Sequence, residues 1–207
     1  MKVLLFNGSS NQKGCTYTAL TEIAATLIQE GIGTEILQIG AQPIRDCIGC
    51  GQCAGKNACI FKDDVVNEWI QKAAEADGFI FGTPVYYAHP CGRILSAMDR
   101  MSYAGGSVFT HKPAAAIASA RRAGTTATLD AMNKHFTINQ MPVVSSTYWN
   151  MVHGKTPEDV KQDLEGLQIM RNLGRNMAWL LKSIEAGKAA GIKKPEAERE
   201  YMTNFIR

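Results

Sequence analysis

Short β-leaning apolar runs alternate with longer segments of helical periodicity along nearly the whole chain, and few architectures accommodate that order. Residues 3–6, 35–39, 79–81, 113–119 and 142–145 predict strands. Between them, residues 16–30 carry Leu20, Ile23, Ala24, Leu27 and Ile28 at helical spacing. Asp63 and Asp64 precede a second helix, whose buried stripe is Val65, Val66, Trp69, Ile70, Ala73 and Ala74. Residues 94–101 and 125–136 predict two more. Residues 158–184 predict one long amphipathic helix, with a stripe running from Leu164 to Ile184. Strict alternation of this kind implies a parallel sheet with helices on both faces.

Five strands suit a flavodoxin-like, doubly wound α/β sandwich of order 2-1-3-4-5. Its ligands bind beyond the strand C-termini, where the order switches. With 207 residues, 45% hydrophobic and 20% charged, the chain has the make-up of one domain, expected over residues 1–187, with a polar tail at 188–207. A net charge of +3 is too mild to argue for nucleic acid or an anionic membrane surface. No apolar stretch is long enough to span a bilayer. The apolar run near the N-terminus stops within a few residues at Asn7-Gly8-Ser9-Ser10, unlike a signal peptide. A cytoplasmic protein is expected, and six cysteines then mean thiols or metal ligands rather than a disulfide framework.

Four of those cysteines, Cys47, Cys50, Cys53 and Cys59, crowd into one loop between the second strand and the next helix. Gaps of two, two and five residues suit a single iron–sulfur cubane or a metal ion better than two disulfides, and Gly49 and Gly51 let the backbone coil. Zinc fits the spacing less well, because common zinc modules separate two ligand pairs by a dozen residues or more. Free thiols closing a loop are the plain alternative.

The flavodoxin-like topology would bring three loops to one sheet edge. The first, residues 8–18, is rich in hydroxyls and amides and opens into a helix, which suits a phosphate. It lacks the glycine patterns of nucleoside triphosphate or dinucleotide sites, so a single terminal phosphate, as on FMN, fits better. Residues 82–92 hold two prolines and adjacent tyrosines that can pack on an aromatic ring system. Residues 118–126 combine small residues with Arg121 and Arg122.

The phosphate cup, the G-T-P-V-Y-Y loop and the cysteine cluster together resemble the flavodoxin-like NAD(P)H-dependent FMN reductases, specifically their iron–sulfur flavoprotein branch, over residues 1–185. Such families read G-S-P-R-x-x-G-N-T in the first loop. Ser9, Gly14 and Thr16 match, whereas Asn11 replaces the arginine and Cys15 the asparagine. Pro84, Val85, Tyr86 and Tyr87 match the isoalloxazine loop, and Ser119, Ala120 and Arg121 stand in the third. The resemblance implies an FMN-dependent oxidoreductase or electron-transfer flavoprotein. The flavin phosphate would sit on residues 9–16, and its ring against residues 84–88, including Ala88, and 119–121. It implies a 4Fe–4S cluster on Cys47, Cys50, Cys53 and Cys59, passing electrons to or from FMN. It further implies a ferredoxin-like donor or NAD(P)H, a small aromatic or quinone acceptor, and a homodimer or homotetramer. No side chain is nominated as an acid–base catalyst, since the cofactor does the chemistry. Two rival readings are a cluster-free NAD(P)H-dependent reductase of flavin, quinones or azo- and nitro-aromatics, and an electron carrier with no small-molecule substrate.

Overall fold

The computed structural model describes residues 1–203, 205 and 206. The central sheet is built from β1 (Lys2–Asn7), β2 (Gly33–Gln38), β3 (Gly78–Tyr86), a two-residue β4 (His89–Pro90), β5 (Ala114–Ala120) and β6 (Met151–His153). Its path is β2-β1-β3-β5-β6, all neighbours parallel, while β4 folds back antiparallel on β3 as a hairpin. Setting that hairpin aside, this is the 2-1-3-4-5 order expected from the sequence.

Alternation along β1 divides the core. Leu4 and Phe6 face a cluster with α2 (Val66–Ala74), α3 (Gly92–Phe109) and α4 (Thr125–Ile138). Val3 and Leu5 face α1 (Cys15–Gln29) and α6 (Leu164–Ala189). Phe6 stacks on Phe81 at 4.3 Å and meets Trp69 at 4.8 Å between ring centroids. These buried aromatic contacts add to the large apolar areas that such residues remove from water.

Two elements depart from the expected pattern. The fifth strand is residues 151–153 and not 142–145. The earlier segment makes one bridge, Val143 to Ala114, then the chain leaves the sheet and returns beside Ala118. The gap is held by Asn150, whose Nδ2 donates to the carbonyls of Ala116 (3.1 Å) and Val144 (3.4 Å). The expected long last helix is also two helices, α5 (Pro157–Gln162) and α6, parted at Asp163. The Asp163 carboxylate accepts from the backbone N–H of His153 (2.6 Å) and Gly166 (2.9 Å), a local competitor to continued helix. Helix α3 runs eight residues beyond its expected end at 101, kinked at Gly105. Beyond α6, residues 193–203, 205 and 206 form no helix or strand. Among the described residues no helix is long and apolar enough to cross a membrane.

Candidate functional site

The loop after β1 is set by a short polar chain. Asn7, fully buried, accepts from the Ser9 N–H at 3.1 Å and donates through Nδ2 to Gln38 Oε1 at 2.6 Å. Gln38 returns the contact by donating to the Ser9 carbonyl at 2.5 Å. The Ser9 Oγ accepts from the Asn11 N–H at 3.1 Å, leaving its own proton free to donate. Helix α1 then starts at Cys15 with Gly14 in the cap position and no side-chain cap. The first-turn amides of Cys15, Thr16 and Tyr17 therefore find no acceptor among the described residues. Their unpaired N–H groups and the helix dipole make an anion cradle.

Three ties join this loop to its two neighbours. Gly8 N–H donates to the Gly82 carbonyl at 2.8 Å, and the buried Cys91 thiol donates to the Gly8 carbonyl at 3.0 Å, linking the first loop to the second. The Thr16 and Ser119 hydroxyls lie 2.7 Å apart, linking the first to the third. Gly124, at φ +92°, links the third to the second: a Cβ there would stand 2.5 Å from Ala88 Cα. Only glycine combines that backbone conformation with so close an approach.

The second loop is the hairpin itself. Tyr86 pairs with His89, and Tyr87 (φ 50°) and Ala88 (φ 61°) form a two-residue turn with both central residues left-handed. Non-glycine residues in that region carry about 1–3 kcal/mol of strain each, which the surrounding packing must hold. Pro84 and Val85 are half-buried, Tyr86, Tyr87 and Ala88 exposed, with the Tyr87 side chain wholly in solvent. Ser119 and Ala120 are buried at the end of β5, and Arg121 is exposed just beyond. Lys13, Arg121 and Arg122 make no ion pair among the described residues, so the rim of the three loops is positive.

Cys15 points the other way, its thiol donating to the Gly154 carbonyl at 3.7 Å. A helix N-terminus ordinarily lowers a thiol pKa. Here burial pushes it up, with smaller help from the Asp159 and Glu158 carboxylates. A protonated thiol leaves the cradle without a competing negative charge.

The four clustered cysteines line one cavity of about 190 Å³, together with Phe61, Arg100 and Tyr103. Gly49, Gly51 and Gly55 all have positive φ, and these three bends turn the loop back on itself. Among the described residues, no three His, Cys, Asp or Glu side chains converge closely enough for a single metal ion. Four thiols around one shared hollow are the donor set that an iron–sulfur cubane takes.

Sequence reasoning missed what anchors this cavity. Arg100 of α3 and Asp64 form an ion pair whose side chains are 1% and 2% exposed. Arg100 also donates to the carbonyls of Arg45 (3.2 Å) and Phe61 (3.3 Å), and through Nε to Cys59 Sγ at 3.3 Å. Asn67 fixes the same strand of the loop, accepting from the Cys59 N–H at 2.7 Å and donating to the carbonyls of Cys59 and Phe61. An arginine within the apolar face of a helix, between Ala97 and Met101, was the available signal.

Fold and site together define a flavodoxin-like α/β protein with a three-loop anion cradle and a thiol-lined cavity. Residues 1–156 match the family of NADPH-dependent FMN reductases. An iron–sulfur flavoprotein of Methanocaldococcus jannaschii is 33% identical over 200 residues, covering 89% of this chain and all of the relative. Among solved structures, a flavone reductase superposes with a TM-score of 0.68 at 18% identity, over 89% of this chain and 64% of that one. A flavodoxin from the domain Archaea superposes with a TM-score of 0.58 at 14% identity, over 88% and 99%. The chain belongs to the NADPH-dependent FMN reductase family and is an oxidoreductase.

Proposed function

We propose that this chain is an iron–sulfur flavoprotein, binding FMN in the three-loop site and a 4Fe–4S cluster on Cys47, Cys50, Cys53 and Cys59. The observation that carries the reading is the uncapped N-terminus of α1, three of whose amides find no acceptor among the described residues, in a loop tied to both of its neighbours. The similarity to an iron–sulfur flavoprotein of M. jannaschii supports the cluster. When bound, FMN exchanges one or two electrons and the cluster one at a time.

The chain's own residues supply position and electrostatics. The amides of residues 15–17 and the hydroxyls of Ser9 and Thr16 would hold the phosphate, with Asn11 and Gly14 shaping the cup and Cys15 closing it against residue 154. Pro84, Val85, Tyr86, Tyr87 and Ala88 would wall one side of the ring. Ser119, Ala120 and Arg121 would meet its polar edge, where a guanidinium favours developing negative charge. The positive rim suits an anionic electron partner, whether NAD(P)H or an acidic ferredoxin-like protein, and a small aromatic or quinone acceptor would enter beside Tyr86 and Tyr87. Assembly as a homodimer or homotetramer, in the cytoplasm, belongs to the same reading.

Equilibrium titration of FMN into the Ser9→Ala/Thr16→Val double variant tests the cradle. The dissociation constant should rise at least tenfold, since two hydroxyl hydrogen bonds to a charged group contribute about 1.5–3 kcal/mol each. Unchanged affinity would remove the assignment.

A further inference from the structure

The guanidinium of Arg100 uses its donors on four partners. Three of them, Asp64, the Arg45 carbonyl and the Phe61 carbonyl, belong to the walls of the cysteine loop. The fourth is different in kind: Nε–H is directed at the sulfur of Cys59, 3.3 Å away, on the wall of the cavity all four thiols share. A charged group 1% exposed must be held by its partners, and this one is pinned on every side, with the Phe61 ring 5.4 Å from its centre. Loop stapling would need only the carbonyl contacts and Asp64. The N–H···S contact adds a fixed dipole and a fixed positive charge facing one cluster ligand from the dry side of the loop, where solvent screening is weakest.

We infer that Arg100 tunes the reduction potential of the cluster through its hydrogen bond to Cys59, as a positioning residue that raises that potential. The inference rests on the four-cysteine cluster reading above. Its physical basis is that an electron added to a thiolate-bound cluster increases negative charge on the sulfurs. A donor and a cation at one sulfur therefore stabilise the reduced state more than the oxidised one. Asp64 offsets part of the charge but not the hydrogen bond, which identifies the N–H···S contact as the component to remove.

The test is an anaerobic redox titration of the reconstituted protein, followed by electron paramagnetic resonance, with iron, sulfide and FMN counted on the same samples. Arg100→Lys keeps the charge and loses the Nε donor. Because a lone Asp64 would be left poorly paired, the Asp64→Leu/Arg100→Met double variant serves as the second probe; it removes both charges together. The cluster midpoint should move to more negative potential in both variants. Clusters present in both at the wild-type midpoint would overturn the inference. So would lowered iron content with the remaining clusters still titrating at the wild-type midpoint, because Arg100 would then only hold the loop. A wild-type protein that binds FMN yet takes up no iron or sulfide on reconstitution would overturn the cluster reading itself, and the tuning role with it.

Discussion

Asn7, Asn150 and Asp64 are polar groups in places where burial is costly, and each is there because it completes a backbone or a charge. Asn7 shapes the phosphate loop through Ser9 and Gln38. Asn150 supplies, from a side chain, the donors that an interrupted edge strand lacks. Asp64 balances Arg100 and also accepts from the Val66 N–H at the start of α2. Replacing Asp64 with Ala should destabilise the fold by about 3–5 kcal/mol in urea unfolding, because it strands a buried guanidinium. A loss under 1 kcal/mol would show that water reaches Arg100. Cys53→Ser should abolish iron binding while FMN still binds; loss of both cofactors would mean that the cysteine loop is needed to build the flavin site. These residues were unevenly legible. The cysteines and the hydroxyl-rich loop stand out by spacing and position in the strand–helix order. Asn7, Gln38 and Arg100 do not, since their partners on other segments of the chain lie 29 to 55 residues away in sequence.

At the scale of elements, the hairpin β3–β4 and the start of α4 are locked together by Gly124 against Ala88. Gly124→Ala should cost at least about 1–2 kcal/mol from its left-handed conformation alone. The displaced hairpin should also weaken FMN binding, measurable by flavin fluorescence titration; retained affinity would separate hairpin geometry from the site. At the β2 edge of the sheet, Glu35 of β2 bridges Lys2 of β1 and Lys72 of α2. Hydrogen bonds from Lys2 and then Lys72 hold its carboxyl below the ordinary 4.5. A depressed folded-state pKa gives stability that is full above pH 4.5 and lost as pH falls through the folded value. The urea midpoints of wild type and Glu35→Gln should therefore differ at pH 7 and converge as the pH falls below 4.5 and through the folded value. Strand and helix order was readable because buried parallel strands are continuous apolar runs. The fifth strand was displaced by eight residues or so because residues 142–145 have the right composition and do touch the sheet, while the residues that pair for longest, 151–153, are too few to give a period. The break at Asp163 was hidden because the apolar stripe continues through it; the competing interaction comes from His153, on another element.

For the molecule as a whole, the anion cradle follows β1 of the central sheet and the thiol-lined cavity lies in the loop between β2 and α2. Helix α3 connects the two: its first turn follows Cys91, hydrogen-bonded to the flavin-side loop, and its third carries Arg100 to the cysteine loop. The first three turns of one helix thus run between the two proposed cofactor sites. The central claim is that a single chain carries both. Protein purified without oxygen and reconstituted with iron and sulfide should contain about four irons, about four sulfides and about one FMN per chain, with a visible spectrum showing both chromophores. FMN at one per chain with iron and sulfide at background would contradict it and leave a flavin reductase whose cysteines are only thiols.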